Sequence, residues 1–238
     1  MANPLDVAAV LAALPEAGAL ALLAKVAQGS KRRAENRLRV LLALGDTPSH
    51  PLAAEADAQV LAVLERVGTE GRDPLVQAIK FVPARSRFAP ALRAITAHRA
   101  DPEWAWAVDA LGTLRDVGAV EVLMAQTQGI DTPFCLLSAL VKLRTPRAEA
   151  LFRANLAHAE PRTVTFALWG LAALGDRSAV RALVRLLDDP DVHTATSFSP
   201  GQNRRAAQAL CDVFGWPFEW EEAAVEATRA RIAELDLG

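Results

Sequence analysis

The feature that most constrains this chain lies between Arg162 and Asp191, RTVTFALWGLAALGDRSAVRALVRLLDDPD. Apolar residues recur there at steps of three and four: Phe166, Leu168, Leu171 and Leu174, then Val180, Leu183, Val184 and Leu187. That period belongs to amphipathic helices, and Gly175-Asp176 between the two runs leaves room only for a tight turn. The segment reads as two antiparallel helices. One such hairpin has no second surface against which to bury its apolar stripe, so it requires neighbours of its own kind.

The chain supplies them. ALGTLRDVGAVEVL, ALVKLRTPRAEALF and GLAALGDRSAVRAL share an apolar residue, two variable positions, a leucine or its equivalent, a polar turn and a second apolar run, with anchors at Leu111, Leu140 and Leu171. Weaker copies place anchors at Leu41 and Ile79 upstream and at Leu210 downstream, giving steps of 38, 32, 29, 31 and 39 residues. Self-similarity at about the length of one helix hairpin is the mark of a repeat array. Composition agrees: the chain is rich in Ala, Leu and Arg, has no Tyr and is only 5% aromatic, which favours helix formers over the residues that fill sheets. The expected fold is all-α, with residues 1–238 as a single domain, the strongest repeats at 103–190 and atypical capping repeats at 1–30 and 203–238.

Punctuation supports the boundaries. Asp73-Pro74, Asp101-Pro102 and Thr132-Pro133 pair a capping residue with a proline suited to a first turn. Gly175 lets the chain reverse, and Asp176 reads as the cap of the following helix rather than as a catalytic acid. Gly112 and Gly170 fall inside helical runs, where glycine costs about 1 kcal/mol relative to alanine, and imply close helix contact.

ALWGLAALGDRSAVRALVRLLDDPD resembles the HEAT-like repeat of many bacterial proteins, including the bilin lyase family. The matching residues are Leu171, Leu174, Gly175, Asp176, Ala179, Val180, Leu186, Leu187, Asp189 and Pro190. The resemblance implies a right-handed α-solenoid of about six or seven antiparallel hairpins with the second helices lining the concave face. It carries no activity with it.

Charge excludes a general attraction to nucleic acid or anionic membrane: 26 Lys plus Arg stand against 28 Asp plus Glu, a net charge of -2. No uncharged run approaches the roughly 20 residues that a membrane span needs. The apolar N-terminus has no basic leader and is interrupted by Asp6, Pro15 and Glu16, so it is not read as a signal peptide. Cys135 and Cys211 sit in apolar helical runs and read as small buried hydrophobes in a reducing compartment, which points to a cytoplasmic protein.

Nucleophile elbows, phosphate loops and dinucleotide fingerprints are missing from the sequence, and no catalytic residue or cofactor is assigned. The nearest approach to a metal cluster, Asp188, Asp189, Asp191 and His193, surrounds an Asp-Pro helix end, and no metal is assigned. The candidate binding residues are Arg177, Arg181 and Arg185, spaced by four on one face of a second helix; His193 and Phe198 in the irregular segment 191–203; and Arg204 and Arg205, which open the last hairpin. Other basic pairs, Arg85 with Arg87 among them, read as solvated loop charge, as Arg204 and Arg205 also could.

These features point to a non-catalytic scaffold or adaptor that presents a helical surface to another protein. The alternatives are a nucleic-acid-directed enzyme resembling the HEAT-like alkylpurine DNA glycosylases, with Trp104, Trp106 and Asp109 imagined as its site, or a bilin-lyase-like ligand-binding protein. Against the first, equivalent outward positions of the second helices are Glu121, Ala150 and Arg181, then Ala125, Ala154 and Arg185. A surface that tracks phosphates should repeat Lys or Arg.

Overall fold

A computed structural model of the chain describes residues 15–19, 21, 38, 40–67, 72–80, 83–127, 134–188, 201–221 and 223–235. Every regular element among the described residues is helical. They fall into two compact units, Met1–Gln126 and Thr127–Gly238.

In the first unit, residues 40–45 are helical, followed by α1 (Ala53–Leu64), α2 (Arg72–Ile79), α3 (Ala89–Ala97), α4 (Trp104–Thr113) and α5 (Val120–Ala125). Residues 40–45, α2 and α4 are the first helices of three hairpins, and α1, α3 and α5 are the second. The two layers bury Leu41, Leu64, Ile79, Leu92, Leu111 and Leu123, all at most 1% exposed. Each such side chain contributes about 1.5–3 kcal/mol by leaving water.

This unit is also tied by buried charge. Arg72 is 2% exposed; its Nε donates to Leu64 O at 2.9 Å, and Nη1 and Nη2 each donate to one oxygen of Asp101 at 2.9 Å. Nη1 also reaches Glu103. Burial works against the charged form of Asp101, but the Arg72 guanidinium and the Glu103 N–H override it and hold this carboxyl below its ordinary 3.8. Glu103 goes the other way, pushed up first by burial and then by Asp101. Asp101 also accepts from Glu103 N at 3.0 Å, but it closes a turn ahead of the next helix, whose N-cap is Glu103 and carries no side-chain cap bond, so the cap expected from Asp101-Pro102 is replaced by an anchor for Arg72.

Arg85 and Arg87 are not solvated loop charge. They lie in a 3-10 helix, Pro83–Phe88, and pair with Asp46 at 2.9 and 3.1 Å, while Arg87 also meets Asp57 at 2.7 Å. The sequence hid this because the partners lie 30 to 41 residues away.

The second unit holds α6 (Phe134–Leu143), α7 (Glu149–Ala154), α8 (Pro161–Ala173), α9 (Arg177–Leu186), α10 (Gln202–Phe214) and α11 (Ala224–Ala233). First helices α6, α8 and α10 form one layer, with α8 packed between the others; α7, α9 and α11 form the second. At Gly170 of α8 a Cβ would lie 2.5 Å from the ring of Phe152 in α7, which is the close helix contact implied by a glycine in mid-helix.

The hairpin turns repeat. Asp116 N donates to Leu111 O at 3.1 Å and Asp176 N to Leu171 O at 3.0 Å, the bond that closes a helix through a left-handed residue. That residue is Gly175, φ 96°, in one repeat, Arg115, φ 53°, and Arg144, φ 48°, in two others, and Gly215, φ 71°, in the last. In the last hairpin the bond runs from Trp216 N to Cys211 O at 2.8 Å, so the anchor there is Cys211, one residue beyond Leu210. Asp176 caps α9 as expected, its side chain accepting from Ser178 N and Ala179 N.

Candidate functional site

The site is built on the first helices of the second unit. Their buried sides carry the leucines, which leaves the opposite side for other residues. Relative to the anchors Leu140 and Leu171, the positions five, two and minus two residues away are Cys135, Ser138 and Lys142 on α6, and Phe166, Trp169 and Ala173 on α8. Five of these six are only partly buried, and Trp169 is 7% exposed.

An aromatic ladder crosses this face. Phe134, the first residue of α6, stacks on Phe166 of α8 with ring centroids 6.3 Å apart and planes at 20°. Phe166 stacks on Trp169 at 5.8 Å and 10°. Trp169 Nε1 donates to Asp212 Oδ2 of α10 at 3.0 Å, and Asp212 also pairs with Arg144 at 3.4 Å. At the other end the Arg162 guanidinium lies 4.5 Å over the ring of Phe134, which is 41% exposed. Aromatic stacks and cation–π contacts of this kind hold large apolar rings rigid at a wet surface.

Two further arginines stand at the start of α10. Arg205 of α10 is only 8% exposed. Burial, and then the charge of Arg162, drive its guanidinium down to about 10, with Glu160 pulling upward. Arg204 beside it is half-buried.

The candidate residues read from sequence are thus divided. Arg205 is buried, not solvated loop charge, and Arg204 beside it is half-buried. Arg177, Arg181 and Arg185 are exposed along α9, in the other helix layer. His193 and Phe198 lie outside the described residues. Glu121, Ala150, Arg181, Ala125, Ala154 and Arg185 are all exposed, as the repeat register requires. Phe134, Arg162, Phe166 and Trp169 were not singled out as a site. Phe166 satisfied the apolar period and so read as core, although its offset of five from the leucine anchor matches that of Trp106, which sequence reasoning did flag.

Trp106 occupies that repeat position in α4 of the first unit. It is 42% exposed, with Lys80 Nζ 5.8 Å from its ring centroid, and Lys80 pairs with Asp109 at 2.6 Å. Trp104, two residues away, points to the opposite fate: 6% exposed, its Nε1 donating to Thr96 O at 3.0 Å. Of the thiols, Cys211 is buried against Thr228 Oγ1 at 3.5 Å, and Cys135 is half-buried.

Among the described residues no group of three or more His, Cys, Asp and Glu side chains is placed to hold a metal ion, and no helix is long and apolar enough to cross a membrane. No family model matches the chain, and no curated protein matches it. Solved structures do. The complex of CpcE and CpcF of phycocyanin lyase from Nostoc sp. PCC7120 contains a chain that is 17% identical, with a TM-score of 0.60 over 90% of this chain and 81% of that one. The fold is therefore the all-helical, HEAT-like fold of that lyase.

Proposed function

We propose that this chain is a non-catalytic, protein-binding scaffold of the cytoplasm, whose contact surface is the face of α6, α8 and α10. The observation that carries this reading is the aromatic ladder Phe134–Phe166–Trp169 with Arg162 over its exposed end. Aromatic and arginine side chains are enriched among the few residues that carry most of the binding energy at protein interfaces. A scaffold of packed hairpins holds them in place before a partner arrives, which lowers the cost of association. The structural neighbour supports the reading, since it is a complex of two polypeptides.

The test is site-specific photocrosslinking in the native host. A photoreactive residue at Ser138, on the ladder face, is expected to yield a covalent adduct with a discrete protein. Only nucleic-acid adducts from Ser138, or none, would overturn the proposal.

The fold likeness to a phycocyanin lyase supports a second reading, a bilin-lyase-like ligand-binding protein belonging to the HEAT-repeat lyase family. Flat rings of the ladder could stack on a conjugated chromophore. Titration of the purified chain with a free bilin should then shift the visible absorbance, and the shift should vanish in Phe134→Ala.

A further inference from the structure

Between α10 and α11 the sequence FGWPFEWEE sets aromatic residues at every second position: Phe214, Trp216, Phe218 and Trp220. The first pair seals the end of α10. Phe214 and Trp216 stack with ring centroids 4.8 Å apart, and the Arg231 guanidinium of α11 lies 5.7 Å from the Trp216 ring. Among the described residues no third ring and no cation covers the second pair. Phe218 and Trp220 meet edge to face at 5.0 Å and 86°, and Trp220 is 53% exposed.

Three observations separate this second pair from a packed terminal cap. Side chains two residues apart point away from each other on a helix and the same way on an extended chain. The contact between Phe218 and Trp220 therefore marks an extended backbone, in keeping with the lack of regular structure at 216–220. Second, the backbone N–H and C=O groups of Phe218, Glu219 and Trp220 make no hydrogen bond within the described residues, so they form a short unpaired edge. Third, Glu219 and Glu221 are exposed and no described cation pairs with either carboxylate. Arg231 is engaged elsewhere, over Trp216 and with its Nη1 donating to Pro217 O at 3.5 Å.

We propose that residues 217–221 dock an extended, basic segment of a partner protein. The partner's backbone pairs with Phe218, Glu219 and Trp220 as an added strand, its apolar side chains lie against the two rings, and its Lys or Arg side chains meet Glu219 and Glu221. Strand addition draws affinity from the main chain and specificity from alternate side chains. Charge complementarity fixes the sign of the partner: two unpaired carboxylates beside an exposed Trp attract cations and repel an acidic segment or a run of phosphates. A cation there also gains from the face of the Trp220 ring. This surface goes beyond the ladder face of α6, α8 and α10, and neither depends on the other.

The experiment is a fluorescence-anisotropy titration of the full chain with a dye-labelled peptide of alternating Lys and Val. The controls are a Glu–Val peptide, a Lys–Gly peptide and a Lys–Val peptide with all its amides N-methylated. The unmodified Lys–Val peptide is expected to bind more tightly than all three. Trp220→Ala should weaken it about tenfold, as truncation of an interface anchor does, and Glu219→Lys with Glu221→Lys should weaken it at least as much. The same change of net charge in the other unit, Glu55→Lys with Glu65→Lys, should leave it unchanged. Equal binding of the Lys–Gly or N-methylated peptide, unchanged affinity in Trp220→Ala, or an equal loss in the variant of the other unit would overturn the proposal. If Trp220→Ala loses its helical circular dichroism, the double change at Glu219 and Glu221 carries the test. Dimerisation of the chain that either variant abolishes would make the occupant a second copy and overturn the basic partner.

Discussion

The ring of Phe152 fills the space that a side chain at Gly170 would need. A Cβ on Gly170 would come within 2.6 Å of three carbons of that ring, and Phe152, 1% exposed, has nowhere to retreat. Alanine would recover about 1 kcal/mol of helix propensity, but overpacking of a filled core costs about 1–3 kcal/mol. Gly170→Ala should therefore destabilise the chain, measured as a lower urea midpoint, and Gly170→Ala with Phe152→Leu should recover part of the loss.

The turn after α4 makes the opposite prediction. Arg115 holds the left-handed position with φ 53°, which an L side chain occupies at a cost of about 1 kcal/mol that glycine avoids. The equivalent residue after α8 is Gly175. Arg115→Gly is expected to stabilise the protein by about 0.5–1 kcal/mol, visible as a higher melting midpoint. Arg144→Gly should gain less, because Arg144 also donates to Asp212 O at 2.9 Å.

Arg72 anchors the first unit through groups far away in sequence. Arg72→Met would leave Asp101 and Glu103 buried without their cation, and removing one member of a buried ion pair costs about 3–5 kcal/mol. The triple change to Met, Asn and Gln at positions 72, 101 and 103 should recover much of that loss, since the penalty comes from the orphaned carboxylates rather than from the absence of the pair. Chemical denaturation of the single and triple variants measures both.

Asp176 makes stability depend on pH. The Ser178 hydroxyl, then the N–H groups of Ala179 and Ser178 and the charge of Arg153, hold its carboxyl below the ordinary 3.8, against burial. A carboxylate depressed by folding contributes stability above its unfolded value, and that contribution is lost as pH falls through the folded one. Asp176→Ala should cost about 1 kcal/mol at neutral pH, the value of a helix cap. The gap between variant and parent should narrow as the pH drops below 3.8. Melting curves across that range test it.

What could be read from the sequence was local. Hairpins follow from apolar spacing, the Asp176 cap and the Gly175 reversal follow from backbone stereochemistry, and a mid-helix glycine at 170 implies a close neighbour. These depend on residues a few positions apart, whose geometry a helix fixes without outside help. The last anchor was misplaced by one residue because Leu210 and Cys211 are both apolar, and only the bond from Trp216 N to Cys211 O distinguishes them.

Tertiary packing decided the rest. Whether Phe166 faces the core or the solvent depends on which side of α8 its neighbours cover, and an apolar period does not record that. Arg205 became a buried cation, Arg72 found Asp101, and Arg87 found Asp57, because helices distant in sequence lie side by side. Charge acts through space with little regard to chain position, so the sequence alone determined the repeating unit, and the packing of those units determined where its charged and aromatic side chains meet.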